Sequence, residues 1–194
     1  MSLPRAFALL LFIILFLPSA AEAQDPSTGG AEFVPPPPAN MTAPGAKATL
    51  LPDGSAAAPA DAPVAVQQAI WAANTLLDKP YRYGGGHAKV EDNGYDCSGT
   101  VSYALYHASL LTSPLDSGSF LRWGERGRGQ WITVFTNPGH AYAVIAGLRL
   151  DTSAYASRTA SNRKVATTAF ERGPRWRPTM RPARGFRARH PLGL

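Results

Sequence analysis

The spacing of apolar residues in the middle of the chain predicts two helices, each with one buried face. Between residues 63 and 77, apolar side chains recur every three or four positions, as they do in an amphipathic helix. Asp61 is a plausible N-cap for this helix. A second stretch with the same period predicts a helix that begins at Asp96 or Cys97 and runs to about Leu111.

Beyond the second helix, the apolar period changes from that of a helix to that of a strand. Residues 112–129 are polar and glycine-rich, and we interpret them as a loop with one short turn. The strands predicted from the alternation cover residues 131–135, 140–146 and 148–151, with candidate edge strands at 165–170 and 185–190. Helices followed by a run of strands predict an α+β fold with an antiparallel sheet.

The N-terminal part of the chain carries two segments that are not expected to join a folded core. Residues 1–23 combine Arg5, a dozen apolar residues and an Ala-x-Ala site, which is typical of a cleaved secretory signal peptide. A retained membrane anchor is the less favoured alternative, because a span needs about 20 apolar residues. Residues 24–61 are rich in Pro and Ala and predict a disordered linker. A folded domain is therefore expected at residues 62–194, in a protein secreted to the periplasm or cell wall.

The positive charge of the chain is concentrated near its C-terminal end. The formal net charge is +6, and no acidic residue follows Glu171. A basic surface attracts polyanions, which for an exported protein are acidic wall polymers or anionic lipid rather than nucleic acid. A solvated basic face that aids solubility is the alternative. The arginines of this segment are Arg172, Arg175, Arg177, Arg181, Arg184, Arg187 and Arg189.

Cys97 is the only cysteine, so the domain has no internal disulfide. A lone cysteine in an exported protein is a buried hydrophobe, an intermolecular partner or a reactive thiol. The start of a helix favours the reactive thiol, because the backbone N–H groups there stabilise a thiolate and can hold an oxyanion. A buried structural thiol and a metal site of Asp96, Cys97 and His140 are less favoured, since zinc normally has a fuller ligand set. No metal or other cofactor is expected.

A catalytic thiolate needs an imidazole that forms an ion pair with it and later protonates the leaving amine. His140 opens a predicted strand on a rigid scaffold, so we prefer it to His87, which lies in a glycine-rich loop. If the strand from His140 turns back as a hairpin, the chain returns to this histidine near Asp151 or Thr152. Asp151 is therefore the candidate that orients the imidazole, with a turn or cap residue as the alternative interpretation.

Three blocks of sequence resemble the NlpC-like family of cell-wall peptidases. They are residues 80–85 (PYRYGG), residues 94–99 (GYDCSG) and Gly139-His140 at the start of an apolar strand. The resemblance covers roughly residues 62–151. It implies a papain-like fold, in which the nucleophile helix packs on an antiparallel sheet that carries the histidine. It also implies a cysteine peptidase that hydrolyses peptidoglycan stem peptides, typically between γ-D-glutamate and a diamino acid.

The same resemblance implies roles for three further residues. Tyr81 would lie beside the thiol and support the oxyanion, and Asp96 and Ser98 would line the pocket for the amine-bearing end of the substrate. The chain departs from the family at Gly129-Gln130, where Gly-Asp is usual. It also departs at Asp151, because the third catalytic residue is usually His, Asn or Gln.

Two rival functions are consistent with the same sequence. One is another reaction on the same fold, either acyl transfer or cleavage of an amide in a different substrate. The other is a non-catalytic wall-binding module that binds through the arginine-rich segment. Residues 152–194 match no part of the family pattern, and within them Trp176 and Phe186 either line a substrate groove or belong to the core.

Overall fold

The computed structural model describes residues 42–153, 172–178 and 180–194, which form an α+β domain. The predicted signal peptide and the predicted strand at 165–170 lie outside the described residues. No helix in these ranges combines the length and apolar character that crossing a bilayer requires. The helices are α1 (Val64–Asn74), α2 (Cys97–His107) and α3 (Ser117–Phe120). The strands are β1 (Thr42–Ala43), β2 (Thr49–Leu50), β3 (Ala56–Pro59), β4 (Glu125–Arg126), β5 (Ile132–Asn137), β6 (His140–Ile145), β7 (Leu148–Leu150), β8 (Trp176–Arg177) and β9 (Arg187–His190).

Six of these strands form one antiparallel sheet in the order β4-β9-β5-β6-β7-β8. The predicted hairpins are confirmed: β5 pairs with β6 from Ile132 opposite Ile145 to Asn137 opposite His140, and β6 pairs with β7. The prediction of an edge strand near residue 190 is wrong, because β9 lies between β4 and β5. Backbone pairing so distant in sequence leaves no local signal.

One face of this sheet packs against the helices and forms the core. Alternate residues of β5 and β6 point to that face, as the two-residue period of a strand requires. The core side chains from these two strands are Ile132, Val134, Ala141, Ala143 and Ile145. Small residues on β6 let α2 approach the sheet closely, and the helix contributes Val101, Ala104 and Leu105 to the same cluster.

The predicted boundary between linker and domain at residue 61 is wrong. Within the supposed linker, β3 pairs in parallel with β1 and antiparallel with β2. Ala56 and Ala58 are fully buried and join the same core as α1. Alanine is small enough to bring this strand against the helix, so a composition that resembles a linker also suits a tightly packed strand. The ordered domain therefore includes residues 42–61.

Helix α1 buries the face that the sequence predicts, but it begins differently. Its N-cap is Pro63 rather than Asp61, and no side chain caps it. The fixed φ of proline suits a helix start, so this helix begins without the side-chain hydrogen bond that an Asp61 cap would have supplied. At its end, Asn74 bonds both backbone groups of Ala56 and accepts from the Trp176 indole at 2.7 Å. Trp176 is buried, so the core interpretation of this residue is confirmed.

Helix α2 begins where the backbone of residues 94–99 packs closely against the backbone of residues 80–85. Asp96 is the N-cap, and its carboxylate accepts from the Gly99 N–H at 2.8 Å. The backbone of Pro80 and Gly85 accepts from Tyr95 and Asp96, respectively. A Cβ on Gly99 would overlap the carbonyl oxygen of Gly85. The glycines of the two blocks are therefore required by the close approach of their backbones.

We expect Gly99→Ala to destabilise the domain by about 1–3 kcal/mol, because the added methyl group overpacks this contact. Gly139→Ala is the matched control, since a Cβ there meets no atom nearer than 3.8 Å. Urea unfolding followed by circular dichroism measures both free energies of unfolding. Equal stabilities for the two variants would contradict the close packing of the two backbones.

Candidate active site

Cys97 is the first residue of α2, so its side chain lies at the amino end of the helix. It is a free, half-buried cysteine and therefore remains open to a reagent or substrate. Backbone N–H groups of a first helical turn point out of the helix end and favour an anion there. The position that the sequence predicts for a nucleophile is thus the position at which a thiolate is stabilised.

His140 is the first residue of β6, and the Cys97 side chain is among the groups that raise the pKa of its imidazole. Its Nε2 is 2.9 Å from Oδ1 of Asp151, which leaves Nδ1 as the ring nitrogen for the thiol. Burial alone would lower the pKa of His140. Hydrogen bonds and charge interactions with Asp151 and Cys97 outweigh burial and raise the pKa to about 9. The imidazole is therefore held in its cationic form at neutral pH.

Asp151 follows β7 and is 1% exposed, so its charge depends on partners within the protein. Besides His140, its Oδ1 accepts from the Ser153 N–H at 2.8 Å. Burial favours the neutral acid, but these hydrogen bonds and the nearby positive charges hold the pKa of Asp151 below its ordinary value. The side chain is thus a fixed carboxylate that accepts a hydrogen bond from the imidazole. The hairpin interpretation correctly placed Asp151 beside His140.

Three arginines surround Asp151, and the sequence interpretation missed all of them. Arg149 is fully buried with its Nε 3.7 Å from Oδ2, and Arg181 donates to the same oxygen at 3.1 Å. Arg177 donates from its Nε to the backbone oxygen of Asp151 at 3.3 Å. The period of a strand places Arg149 on the same face as Asp151, which is a signal the sequence does contain. Arg181 is distant in sequence and has no such signal.

His87, the alternative base, is engaged on the other side of the helix start. Its Nε2 lies 3.0 and 3.1 Å from the two carboxylate oxygens of Asp96 and 3.3 Å from the Ser98 hydroxyl. The hydrogen bond to Asp96 raises the pKa of His87. Cys97 is not among the groups that shift the pKa of His87, whereas it is among those that shift His140. The geometry therefore favours His140 as the partner of the thiol.

Asp96 and Ser98 lie beside the thiol, but both are buried. The carboxylate of Asp96 accepts from the backbone N–H groups of Gly84 and Gly99 as well as from His87. Although burial raises the pKa of Asp96, these hydrogen bonds hold it below its ordinary value. The contacts account for Asp96 as a helix cap and loop anchor, and substrate binding by Asp96 and Ser98 stays a prediction.

Tyr81 is half-buried, and its backbone forms a parallel bridge with that of Tyr95, just before Asp96. Burial and the negative charges of Cys97 and Asp96 raise the pKa of Tyr81. The phenol therefore keeps its proton near the thiol and can donate a hydrogen bond. This placement agrees with the expected position of Tyr81, whose support of an oxyanion stays a prediction.

Phe186 lies beside the candidate base rather than in the core. Its ring is 6.2 Å from that of His140 and 5.1 Å from that of Tyr142, with edge contacts in both cases. Within residues 42–153, 172–178 and 180–194, no group of three or more His, Cys, Asp or Glu side chains is placed to hold a metal ion.

The arginine-rich segment is built into the domain. Several of its side chains contact groups of the fold: Arg175 donates to the carbonyl of Leu77, Arg189 donates to that of Leu121, and Arg177 and Arg181 contact Asp151. Arg172, Arg184 and Arg187 are exposed. The basic character of the sequence therefore combines internal contacts with a smaller exposed face.

We expect His140→Gln to slow the alkylation of Cys97 by iodoacetamide near pH 7 by at least about tenfold, because the imidazole that would accept the thiol proton is lost. His87→Gln is the matched control and should alkylate at a rate close to that of the wild type. Because Cys97 is the only cysteine, mass spectrometry follows the reaction without interference. Equal rates in the His140 variant and the wild type would contradict the pairing.

The site combines a half-buried thiol at a helix start with an imidazole that is hydrogen-bonded to a buried carboxylate. Such an arrangement can activate a nucleophile, carry its proton and return that proton to a leaving group. Comparison with protein-family models, with curated proteins and with solved structures gave no match to this chain.

Proposed function

We propose that this protein is an exported cysteine hydrolase with a papain-like fold that cleaves amide bonds in peptidoglycan stem peptides. The observation that carries the proposal is the pairing of the His140 imidazole with the buried Asp151 carboxylate, together with the interaction of Cys97, at the start of α2, that helps to raise the pKa of that imidazole. The resemblance of residues 80–85 and 94–99 to NlpC-like peptidases supports the choice of substrate. The bond between γ-D-glutamate and a diamino acid is the proposed site of cleavage.

The first half of the proposed reaction forms a thioester. The Cys97 thiolate attacks the amide carbonyl carbon, and the carbonyl oxygen becomes an oxyanion. Backbone N–H groups at the start of α2 and the Tyr81 hydroxyl are the proposed donors to that oxygen. The His140 imidazolium then gives its proton to the amine nitrogen, so the carbon–nitrogen bond breaks and the amine leaves.

The second half regenerates the enzyme. The neutral imidazole of His140 accepts a proton from water as the water oxygen attacks the thioester carbon. The carbon–sulfur bond breaks, the carboxylic acid product leaves, and the thiolate and imidazolium pair is restored. Asp151 stays ionised throughout and stabilises each imidazolium that forms, because its carboxylate accepts from Nε2.

The proposed compartment and partners follow from this chemistry and from the N-terminal sequence. Residues 1–23 resemble a signal peptide, so the proposed location is the periplasm or cell wall, where stem peptides occur. Acidic wall polymers are proposed as further partners of the exposed arginines Arg172, Arg184 and Arg187. Binding of this kind would hold the domain close to an insoluble substrate.

The test is digestion of purified sacculi and of a defined tetrapeptide, L-Ala-γ-D-Glu-diamino acid-D-Ala, followed by mass spectrometry. The expected products are L-Ala-γ-D-Glu and a diamino acid-D-Ala dipeptide with a new amino terminus. Adding a free amine at high concentration separates hydrolysis from acyl transfer, since an acyltransferase would form a new amide. A protein that binds sacculi but releases no new amino termini would be a wall-binding module, and the hydrolase proposal would fail.

A further inference from the structure

A cavity of about 370 Å³ lies on the face of the sheet opposite the helices. Its floor consists of Phe135 and Tyr142, which are directly opposite each other on β5 and β6 and whose rings stack at 4.9 Å. Trp131 and Val144 extend the apolar lining. Cavities of this size commonly hold small organic ligands, for which the typical range is about 300–1,000 Å³.

The polar character of the cavity comes from two guanidinium groups. Arg128 and Arg181 both line it, and among the described residues that line it there is no Asp or Glu. The Arg128 guanidinium lies 5.4 Å from the centroid of the Phe135 ring, and within the described ranges it pairs with no carboxylate. Arg181 lies over Tyr142 at 5.1 Å. The cavity therefore carries an excess of positive charge over an aromatic floor.

Arg181 connects this cavity to the candidate active site. The same guanidinium donates to Oδ2 of Asp151 at 3.1 Å, while Oδ1 of that residue holds His140. An arginine has five N–H donors in a fixed planar arrangement, so it can bind a second anion while it keeps its first partner. Arg128 is exposed and has a flexible side chain that can close over a ligand.

We propose that this cavity binds a small carboxylate-bearing ligand with an apolar or aromatic body, with Arg128 and Arg181 holding the carboxylate and the half-buried Trp131 and Val144 packing against the body. A carboxylate accepts hydrogen bonds from a guanidinium in a bidentate geometry, and such charge-assisted bonds are the strong ones. The apolar side chains of Trp131 and Val144 favour an organic anion over a bare inorganic ion, because only the former buries hydrocarbon surface against them. The proposal concerns a site separate from the thiol and does not depend on the proposed hydrolase activity.

The probes for the test are phenylacetate and its neutral counterpart phenylacetamide, added to the full chain. The chemical shifts of the Trp131 indole and of the Gly129 and Gly147 amides, which line the cavity, report binding in heteronuclear NMR spectra. A ligand of this size is expected to have a Kd on the order of 1–10 mM. Phenylacetamide should bind at least about tenfold more weakly, because it lacks the charge.

Arg128→Gln should weaken phenylacetate binding by about tenfold, since it removes one charge-assisted contact. Arg126→Gln is the matched control, because Arg126 is an exposed arginine of β4, two residues before Arg128, that does not line this cavity. Its affinity should equal that of the wild type, and both variants should alkylate at Cys97 as the wild type does.

Three results would overturn the proposal. Phenylacetamide could bind as well as phenylacetate, Arg126→Gln could weaken binding as much as Arg128→Gln, or the cavity residues could show no shift changes at all. A fourth arm uses inorganic phosphate alone. If phosphate shifted the cavity residues with the same affinity as phenylacetate, the site would be a simple anion site, and the role proposed for Trp131 and Val144 would be wrong.

Discussion

Replacing Cys97 with serine should lower the rate of stem-peptide hydrolysis by at least about 10³-fold, because a hydroxyl beside His140 does not ionise as a thiol does. The rate of release of the diamino acid-D-Ala dipeptide measures the effect. The fold should be unchanged, since Cys97 is half-buried at the start of a helix and serine is common there. The free energy of unfolding should stay within about 0.5 kcal/mol of the wild type.

Chemical modification provides the control for this variant. Cys97 is the only thiol, so stoichiometric alkylation of the wild type should cause the same loss of activity as the substitution. Prior incubation with the tetrapeptide should slow the alkylation if substrate and reagent meet the same sulfur. A Cys97→Ser enzyme that kept more than about a tenth of wild-type turnover would exclude the thiol as nucleophile.

The second large effect is expected from Asp151→Asn, which should reduce kcat/KM by roughly 10²- to 10⁴-fold. The pKa of His140 is about 9, and Asp151 provides the largest of the contributions that raise it against burial. The imidazolium is lost as pH rises through this pKa, so wild-type activity should fall above about pH 9. Without the carboxylate the pKa of His140 is lower, and the alkaline limb of the profile should move by at least about one unit to lower pH.

The shift of the alkaline limb distinguishes two roles for Asp151: acting on the His140 imidazole, or only stabilising the fold. Arg181→Gln removes a contact to Oδ2 of Asp151 but leaves Oδ1 on His140, so its alkaline limb should stay near that of the wild type. Profiles of kcat/KM between about pH 5 and 10 compare the variants. A loss of activity in Asp151→Asn with an unmoved alkaline limb would mean that Asp151 serves only the stability of the domain.

The helices and hairpins whose contacts are local in sequence could be predicted from the sequence. The apolar period defined the buried face of α1, and the change to a two-residue period defined β5, β6 and β7. Because β6 and β7 form a tight hairpin, the approach of Asp151 to His140 followed from turn geometry alone. The start of α2 was predicted at Asp96 or Cys97, and the structure has Cys97 as its first residue with Asp96 as the N-cap.

The features that escaped prediction depend on contacts between distant residues or on misleading composition. Arg181 reaches Asp151 across 30 residues, and no periodicity connects them. Residues 42–61 have the composition of a linker, yet the burial of Ala56 makes part of that segment core. His87 was assigned to a flexible loop, but Asp96 and the close backbone contacts of the glycines hold it in place.

The central position of β9 in the sheet has a consequence for the order in which the domain can assemble. Strand β9 fills the gap between β4 and β5, although Arg189, the partner of Val134 in the register, lies 55 residues further along the chain. During synthesis, the hydrogen-bonding edge of β5 stays open until residue 190 has left the ribosome. The β5-β6-β7 hairpins can therefore form early, whereas the β9 edge of β5 is closed only late in folding.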